Sequence, residues 1–234
     1  MTISYQKFSG VVSDDRSMVA RQALAWQSLP KRRGMYRSLF KRAFDVAAVV
    51  LAVPVIVPLI AGLAIGVARE GGSPFYAQIR VGKNGKPFRM WKLRSMVNDA
   101  DARMVDYLAS NPEARAEWDS TQKLRHDPRV TGFGQVLRKS SLDELPQLWN
   151  VLRGDMSLVG PRPMMLNQQS LYPGIAYYAL RPGITGYWQT AGRSRTTFAA
   201  RAEYDSAYEE ALSLVTDLRI LVRTVNVVVK GTGC

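Results

Sequence analysis

Histidine and cysteine are almost missing from this sequence: His126 stands alone, and the single cysteine, Cys234, is the last residue. One cysteine cannot form a disulfide within the chain, which suits a reducing compartment. So few ligands cannot build a His/Cys zinc site, and they argue against a Ser–His or Cys–His catalytic pair. His126 lies in the polar, turn-like run His126-Asp127-Pro128-Arg129 and reads as a surface residue. Nucleophilic or acid–base chemistry therefore falls to carboxylates. Acidic residues are also scarce, 19 against 32 lysines and arginines, for a formal net charge of +13. So basic a chain seeks polyanions, whether nucleic acid, anionic headgroups or phosphorylated substrates. No nucleic-acid recognition motif is visible. Internal repeats and low-complexity tracts are missing too.

What is present begins with a polar, flexible tail over residues 1–34. Residues 35–70 then carry an apolar run from Ala43 to Ala68, charged only at Asp45. As a helix this run reaches roughly 39 Å, against a bilayer core of about 30 Å. It starts too late and runs too long for a cleavable signal peptide. A spanning helix is the simplest reading, and two features oppose it. Pro54 and Pro58 each remove a backbone donor, so a break is expected around Val53, Pro54 and Pro58. Positive charge also lies on both flanks (Arg37, Lys41 and Arg42 before, Arg69, Arg80 and Lys83 after), so neither side is marked as the outside. A helix–break–helix that enters and leaves through one leaflet satisfies both flanks.

Residues 71–234 form the remaining domain. Phe75 to Val81 and Phe88 to Leu93 surround Asn84-Gly85, a hairpin turn signal. Val97, Ala100, Met104, Tyr107 and Leu108 recur at helical spacing until Asn111-Pro112 interrupts them, and a second helix runs through Trp118. Near the end, Leu218, Leu221, Val222, Val225 and Val229 make the apolar stripe of an amphipathic helix. The stripe suits core packing, with the membrane surface as the alternative.

Chemistry concentrates between Arg138 and Pro163. Leu142, Leu145, Leu148, Trp149 and Leu152 predict one face of a helix, with Asp143, Gln147 and Asn150 opposite. Ser141-Leu-Asp-Glu144 reads as a capping box. That structural role is compatible with catalysis, because a helix N-terminus also favours a bound phosphate. Arg138 precedes the acids, and Arg162 is clamped between Pro161 and Pro163. Arg181 opens the turn-rich Arg181-Pro-Gly-Ile-Thr-Gly186, and Arg193 follows Gly192. Guanidinium groups bind phosphate oxygens through paired donors, and several on rigid turns around an acid pair point to a diphosphate site.

These motifs, taken in order, resemble the bacterial sugar transferase family, the monotopic polyprenyl-phosphate phosphoglycosyl transferases. The resemblance runs from about Phe40 to the C-terminus. It is carried by Lys41-Arg-Ala-Phe-Asp45, the proline-bearing apolar segment, Lys92-Leu-Arg-Ser-Met96 and Ser141-Leu-Asp-Glu-Leu145. Asn150-Val-Leu-Arg-Gly-Asp-Met-Ser157, Val159-Gly-Pro-Arg-Pro163 and Arg181-Pro-Gly-Ile-Thr-Gly186 complete it. It implies an α+β, mostly helical monotopic membrane protein: a proline-broken re-entrant helix, a small β-hairpin and a cytoplasmic catalytic domain at the bacterial inner membrane. It implies transfer of a sugar 1-phosphate from a UDP-sugar to undecaprenyl phosphate, with Asp143 as nucleophile and UMP as leaving group. Glu144 would orient or deprotonate the acceptor, or help Asp143 hold Mg²⁺. Arg138 and Arg162 would bind phosphate, and Arg94 would fill the family's basic position in the Lys-x-Lys/Arg-Thr/Ser-Met motif.

The resemblance further implies inner-membrane lipid as surroundings, with a second copy of the chain and later glycosyltransferases as candidate partners. The ending Val229-Lys-Gly-Thr-Gly-Cys234 is similar to members that start exopolysaccharide repeats, which leans the sugar toward galactose or glucose. Two other classes compete. A membrane-anchored scaffold would need only the basic flanks and the amphipathic helix, and leaves the acid pair beside Arg162 unexplained. A nucleic-acid binder would leave the apolar segment unexplained.

Overall fold

A computed structural model describes residues 34–121, 124–191 and 196–229. The tail before residue 34 and Arg193 lie outside the described residues. The chain interleaves two compact units. Among the described residues, one comprises 34–43 with Ile79–Phe88 and those of Gly154–Leu221; the other comprises Phe44–Gln78, those of Arg89–Arg153, and 222–229.

A π-helical turn, Tyr36–Phe40, leads into helix α1, Lys41–Ala68. Here the sequence reading needs correction. The break expected at Val53, Pro54 and Pro58 is not an unwound segment, because α1 is one continuous α-helix with both prolines inside it, an arrangement in which missing donors still bend the axis. Each proline removes a single backbone donor, and the remaining ladder carries the helix past both positions. In the second unit the inner face of α1 is anchored where Ala64 and Val67 pack with Leu93 and Leu137. Its outer face is apolar and bare. Leu51 is 81% exposed, and Val50, Val55, Val57 and Ile65 are more than half exposed. Covering five such side chains is worth roughly 5–10 kcal/mol at the usual figure for aliphatic groups. That rivals the net stability of a whole domain, so this face is suited to lipid rather than water. From Tyr36 to Ala68 the helix is long and apolar enough to cross a membrane.

Strands β1 (Phe75–Val81) and β2 (Pro87–Leu93) form the expected hairpin. Asn84 and Gly85 both take positive φ, 58° and 74°, within a connection running from Gly82 to Lys86 that the Gly82 amide closes by donating to the Lys86 carbonyl at 2.8 Å. Helix α2, Ala100–Ser110, begins later than its sequence pattern implies. Met96 instead forms a bridge with Val130, and the Val97 amide donates to Arg129. Helix α3, Pro112–Thr121, follows, then α4, Gly132–Ser140, and α5, Gln147–Arg153. His126 is exposed, as its polar surroundings imply.

In the first unit, β3 (Ser157–Val159) and β4 (Gly183–Thr185) pair in parallel, with Ser157 opposite Gly183 and Val159 opposite Thr185. The backbones touch so closely that a Cβ on Gly160 would lie 2.3 Å from the Arg181 carbonyl oxygen, and one on Gly183 would lie 2.1 Å from the Gly160 nitrogen. Helices α6 (Ala176–Ala179), α7 (Tyr187–Ala191), α8 (Arg201–Glu210) and α9 (Leu214–Val229) surround this pair in sequence. Val159, Leu180, Tyr208 and Ile220 make one core cluster; Val81, Met164, Tyr172, Tyr177 and Tyr178 make another. On α9 the inward positions are Asp217 and Ile220, whereas Leu218, Val222 and Val225 are exposed. Core packing of the whole stripe is therefore corrected: Leu221 packs against the core, and Leu218, Val222 and Val225 do not. An inward carboxylate fixes the wheel, and these three side chains turn out.

Asp217 is fully buried and accepts hydrogen bonds from Tyr36 Oη (2.6 Å), Lys41 Nζ (2.7 Å) and Tyr208 Oη (2.6 Å). A second buried acid, Asp205, accepts from Tyr172 Oη at 2.8 Å. Burial pushes its carboxyl up to about 7, against the pull of Tyr172 and Arg201. Unfolded, the same group titrates near 3.9. Between those values the folded form binds the extra proton, so stability rises as pH falls through 7 and levels off below about 4. Lowering the pH from 8 to 6 should raise the thermal midpoint of the wild type relative to Asp205→Asn, which is neutral throughout. Parallel midpoints for the two proteins across that range would remove Asp205 as the cause.

Candidate active site

The acid pair is built in the second unit by an abrupt change of chain direction. Thr131 caps α4, its hydroxyl accepting from the Gly134 amide at 2.9 Å. At the other end Ser141 ends α4 in the left-handed conformation, φ 58° and ψ 19°, a cost of about 1–3 kcal/mol for a residue with a Cβ. Leu142–Glu144 then form a 3₁₀ turn before α5 starts at Gln147. The expected capping box and single helix are thus replaced. Ser141 makes no side-chain cap, and Pro146 has no N–H with which to continue a helix from Leu142. The Glu144 carboxylate is engaged elsewhere.

Its partner is Lys92 on β2. The Lys92 ammonium lies 2.8 Å from Glu144 Oε1 and 3.3 Å from Asp143 Oδ2, gathering both acids. Asp143 is buried. Burial pushes its carboxyl above the ordinary range and neighbouring Glu144 adds to this, while Lys92 and Arg138 pull it back. Arg138 on α4 donates through Nε to Ser95 Oγ at 2.9 Å. Burial draws its guanidinium below its ordinary value, against the fields of Asp127 and Asp143. Asn150, on α5, ties that helix to β2 by accepting from the Trp91 amide (3.0 Å) and donating to the Arg89 carbonyl (2.7 Å). A largely desolvated carboxylate, held by an ammonium and within the field of a guanidinium, suits attack on an anionic electrophile.

Of the residues singled out in the sequence, Asp143, Glu144 and Arg138 come together here. Arg94 is used differently: it donates to Asn98 Oδ1 at 2.7 Å and to the carbonyls of Val67 and Gly71, at the end of α1. Lys92 was passed over in its favour. The signal was there, since Phe88, Met90 and Lys92 share one face of β2, and the first two are buried. A cation in line with buried residues needs carboxylate partners.

Arg162 and Arg181 belong to the other unit. Arg181 Nε donates to the Gly154 carbonyl at 2.9 Å, and the Arg162 guanidinium lies over the Trp188 ring, 5.7 Å from its centre. Arg201, which no sequence signal marked, sits on the same indole at 4.2 Å and on Phe198 at 4.5 Å. Burial, then repulsion from Arg162, lowers its guanidinium to about 10. Two like charges over one indole make a ready place for an anion.

A sequence model of the family described as "Bacterial sugar transferase" matches residues 36–231. A UDP-galactose-lipid carrier transferase of Erwinia amylovora is 47% identical over 71% of this chain and 35% of its own length. The exopolysaccharide production protein ExoY of Sinorhizobium fredii is 46% identical over 70% of this chain and 74% of its own. An undecaprenyl-phosphate galactose phosphotransferase of Salmonella typhimurium is 46% identical over 71% of this chain and 36% of its own. The match thus spans about a third of the Erwinia and Salmonella proteins and about three quarters of ExoY.

Proposed function

The chain belongs to the bacterial sugar transferase family, and from that premise we propose that it transfers a sugar 1-phosphate from a UDP-sugar to undecaprenyl phosphate. The observation that carries the proposal is the buried Asp143 carboxylate, bonded to Lys92 beside Glu144. An Asp143 oxygen attacks the sugar-bearing phosphorus, the bond to the UMP phosphate breaks, and UMP leaves. A phosphosugar–aspartate remains. A phosphate oxygen of the lipid then attacks the same phosphorus and expels the carboxylate, giving a lipid diphosphate sugar. Two steps replace one encounter between reluctant anions. Arg138 offsets charge near Asp143; Arg162, Arg181, Arg193 and the stacked Arg201 are the candidates for the donor's phosphates.

Mg²⁺ fits the donor set, because this ion takes one or two carboxylates together with substrate phosphates. Among the described residues no group of three His, Cys, Asp or Glu side chains forms a ready metal centre, so Asp143 and Glu144 would share the ion with the diphosphate. Bound there it would offset negative charge on the transferring phosphoryl group. Names of the Erwinia and Salmonella relatives favour galactose as the sugar.

Membrane placement follows from α1. Val49, Val53, Ile56 and Ile60 of the helix line a cleft of their own unit, Ala64 and Val67 pack in that unit's core, and the other face is bare and apolar. A monotopic, re-entrant seat in the cytoplasmic leaflet of the inner membrane, where the lipid phosphate and the dissolved nucleotide sugar meet, then requires α1 to bend at Pro54 and Pro58, where two backbone donors are missing. Self-association and contact with later glycosyltransferases of exopolysaccharide assembly extend the same reading.

The test is a quench of the protein with UDP-galactose and Mg²⁺ but no acceptor. Mass spectrometry should find a hexose phosphate on Asp143, with about one UMP released per chain, as a covalent half-reaction requires. If lipid product forms when acceptor is added, yet no adduct ever precedes it, the double displacement is wrong.

A further inference from the structure

Within the second unit an apolar cleft of about 280 Å³ lies between α1 and α5. Val53 and Val57 of α1, Phe75 and Trp91 of the hairpin, and Pro146 and Trp149 are among the side chains lining it. Val57 and Trp149 are each 56% exposed, so the cleft opens to its surroundings, on the helix whose bare face suits lipid. Nothing in the wall rewards a nucleotide or a sugar, and burying unpartnered polar groups there would cost several kcal/mol. A hydrocarbon chain meets no such cost.

Position narrows the choice of hydrocarbon. Leu145 and Pro146, both of which line the cleft, directly follow Asp143 and Glu144 in the chain. The cleft therefore begins at the residue after the acid pair. Trp91 lines it, and the next residue, Lys92, bonds both acids. A chain entering here delivers whatever group it carries to those charges. Lys92 already supplies the cation that an ethanolamine headgroup would offer, and a glycerol headgroup offers none, whereas the acceptor phosphate must reach these acids to react. We infer that this cleft holds the first isoprene units of the polyprenyl acceptor, an inference resting on the reaction proposed above.

The test uses the full chain in nanodiscs of phosphatidylethanolamine and phosphatidylglycerol, with undecaprenyl phosphate carrying a diazirine on its first isoprene. Illumination should label peptides covering residues 53–60 or 146–152. Unlabelled undecaprenyl phosphate should suppress the label, and the same amount of added phosphatidylglycerol should not. In turnover, Trp149→Ala and Val57→Trp, both at exposed positions that the fold tolerates, should each raise KM for the acceptor roughly tenfold. That rise should exceed any change in KM for the donor. Labelling confined to other segments, equal competition by phosphatidylglycerol, or an unmoved acceptor KM in both variants would overturn the assignment. Photolabelling needs no turnover, so a wild type that labels here but releases no UMP from any UDP-sugar supports the cleft and sinks the proposed reaction instead.

Discussion

Asp143→Asn is expected to yield a folded, membrane-associated protein whose transfer rate is at least about a thousandfold below wild type, the scale of losing a covalent nucleophile. The substitution keeps the shape of the side chain and removes its ability to bond phosphorus. Folding should not suffer. Burial already disfavours the charged carboxylate, by more than Lys92 and Arg138 favour it, and the amide oxygen can still accept from Lys92. Glu144 keeps its own contact with that ammonium at 2.8 Å, so the turn retains an anchor. Two readouts separate chemistry from folding: UMP release with lipid product formation, and the elution profile with thermal midpoint of the purified variant. Transfer within tenfold of wild type would show that some other group attacks the donor. A protein that fails to fold would show that the acid pair is needed as structure first.

Asp217→Ala should produce the largest loss of stability of any single change discussed here. Its carboxylate has no exposure and gathers Tyr36, Lys41 and Tyr208. Without it the Lys41 ammonium, 12% exposed, keeps only the Val159 carbonyl at 2.9 Å and the Tyr208 hydroxyl at 3.0 Å. Leaving one member of a buried ion pair uncompensated costs about 3–5 kcal/mol. For a protein of this size that is roughly a 10 °C fall in thermal midpoint. Asp217→Asn keeps an acceptor for one tyrosine and should fall by less. A shift within about 2 °C for the alanine variant would mean that Lys41 finds water, and that the network contributes little.

These two acids show where the sequence could be read and where it could not. The Asp143-Glu144 pair was legible because one histidine and one terminal cysteine leave no Ser–His or Cys–His pair to expect, which turns attention to carboxylates. Asn84-Gly85 was legible for a local reason, since both residues tolerate positive φ. The wrong expectations share another cause, which is competition for one group by two partners. Ser141 and Glu144 matched a capping pattern, but Lys92 outbids the Ser141 amide for the glutamate, and Lys92 arrives from a strand some fifty residues away. Pro54 and Pro58 matched a break signal, yet a helix in an apolar stretch has nowhere better to send its remaining backbone groups, so it continues. Asp217 was hidden because its partners, Tyr36 and Lys41, lie near the opposite end of the chain. Arg201 was hidden because one arginine in a polar helix looks like a solvated charge until Trp188 is placed beneath it.

The contact of Gly160 with Gly183 has a practical side for anyone hoping to re-aim the proposed transfer at a different sugar. Arg162 and Arg181 stand on segments pressed together with no space even for a methyl group, so substitution at either glycine would pry the strands apart before it could reshape a recognition surface. Breadth of donor choice is therefore better sought in side chains that overhang this seam than in the seam itself.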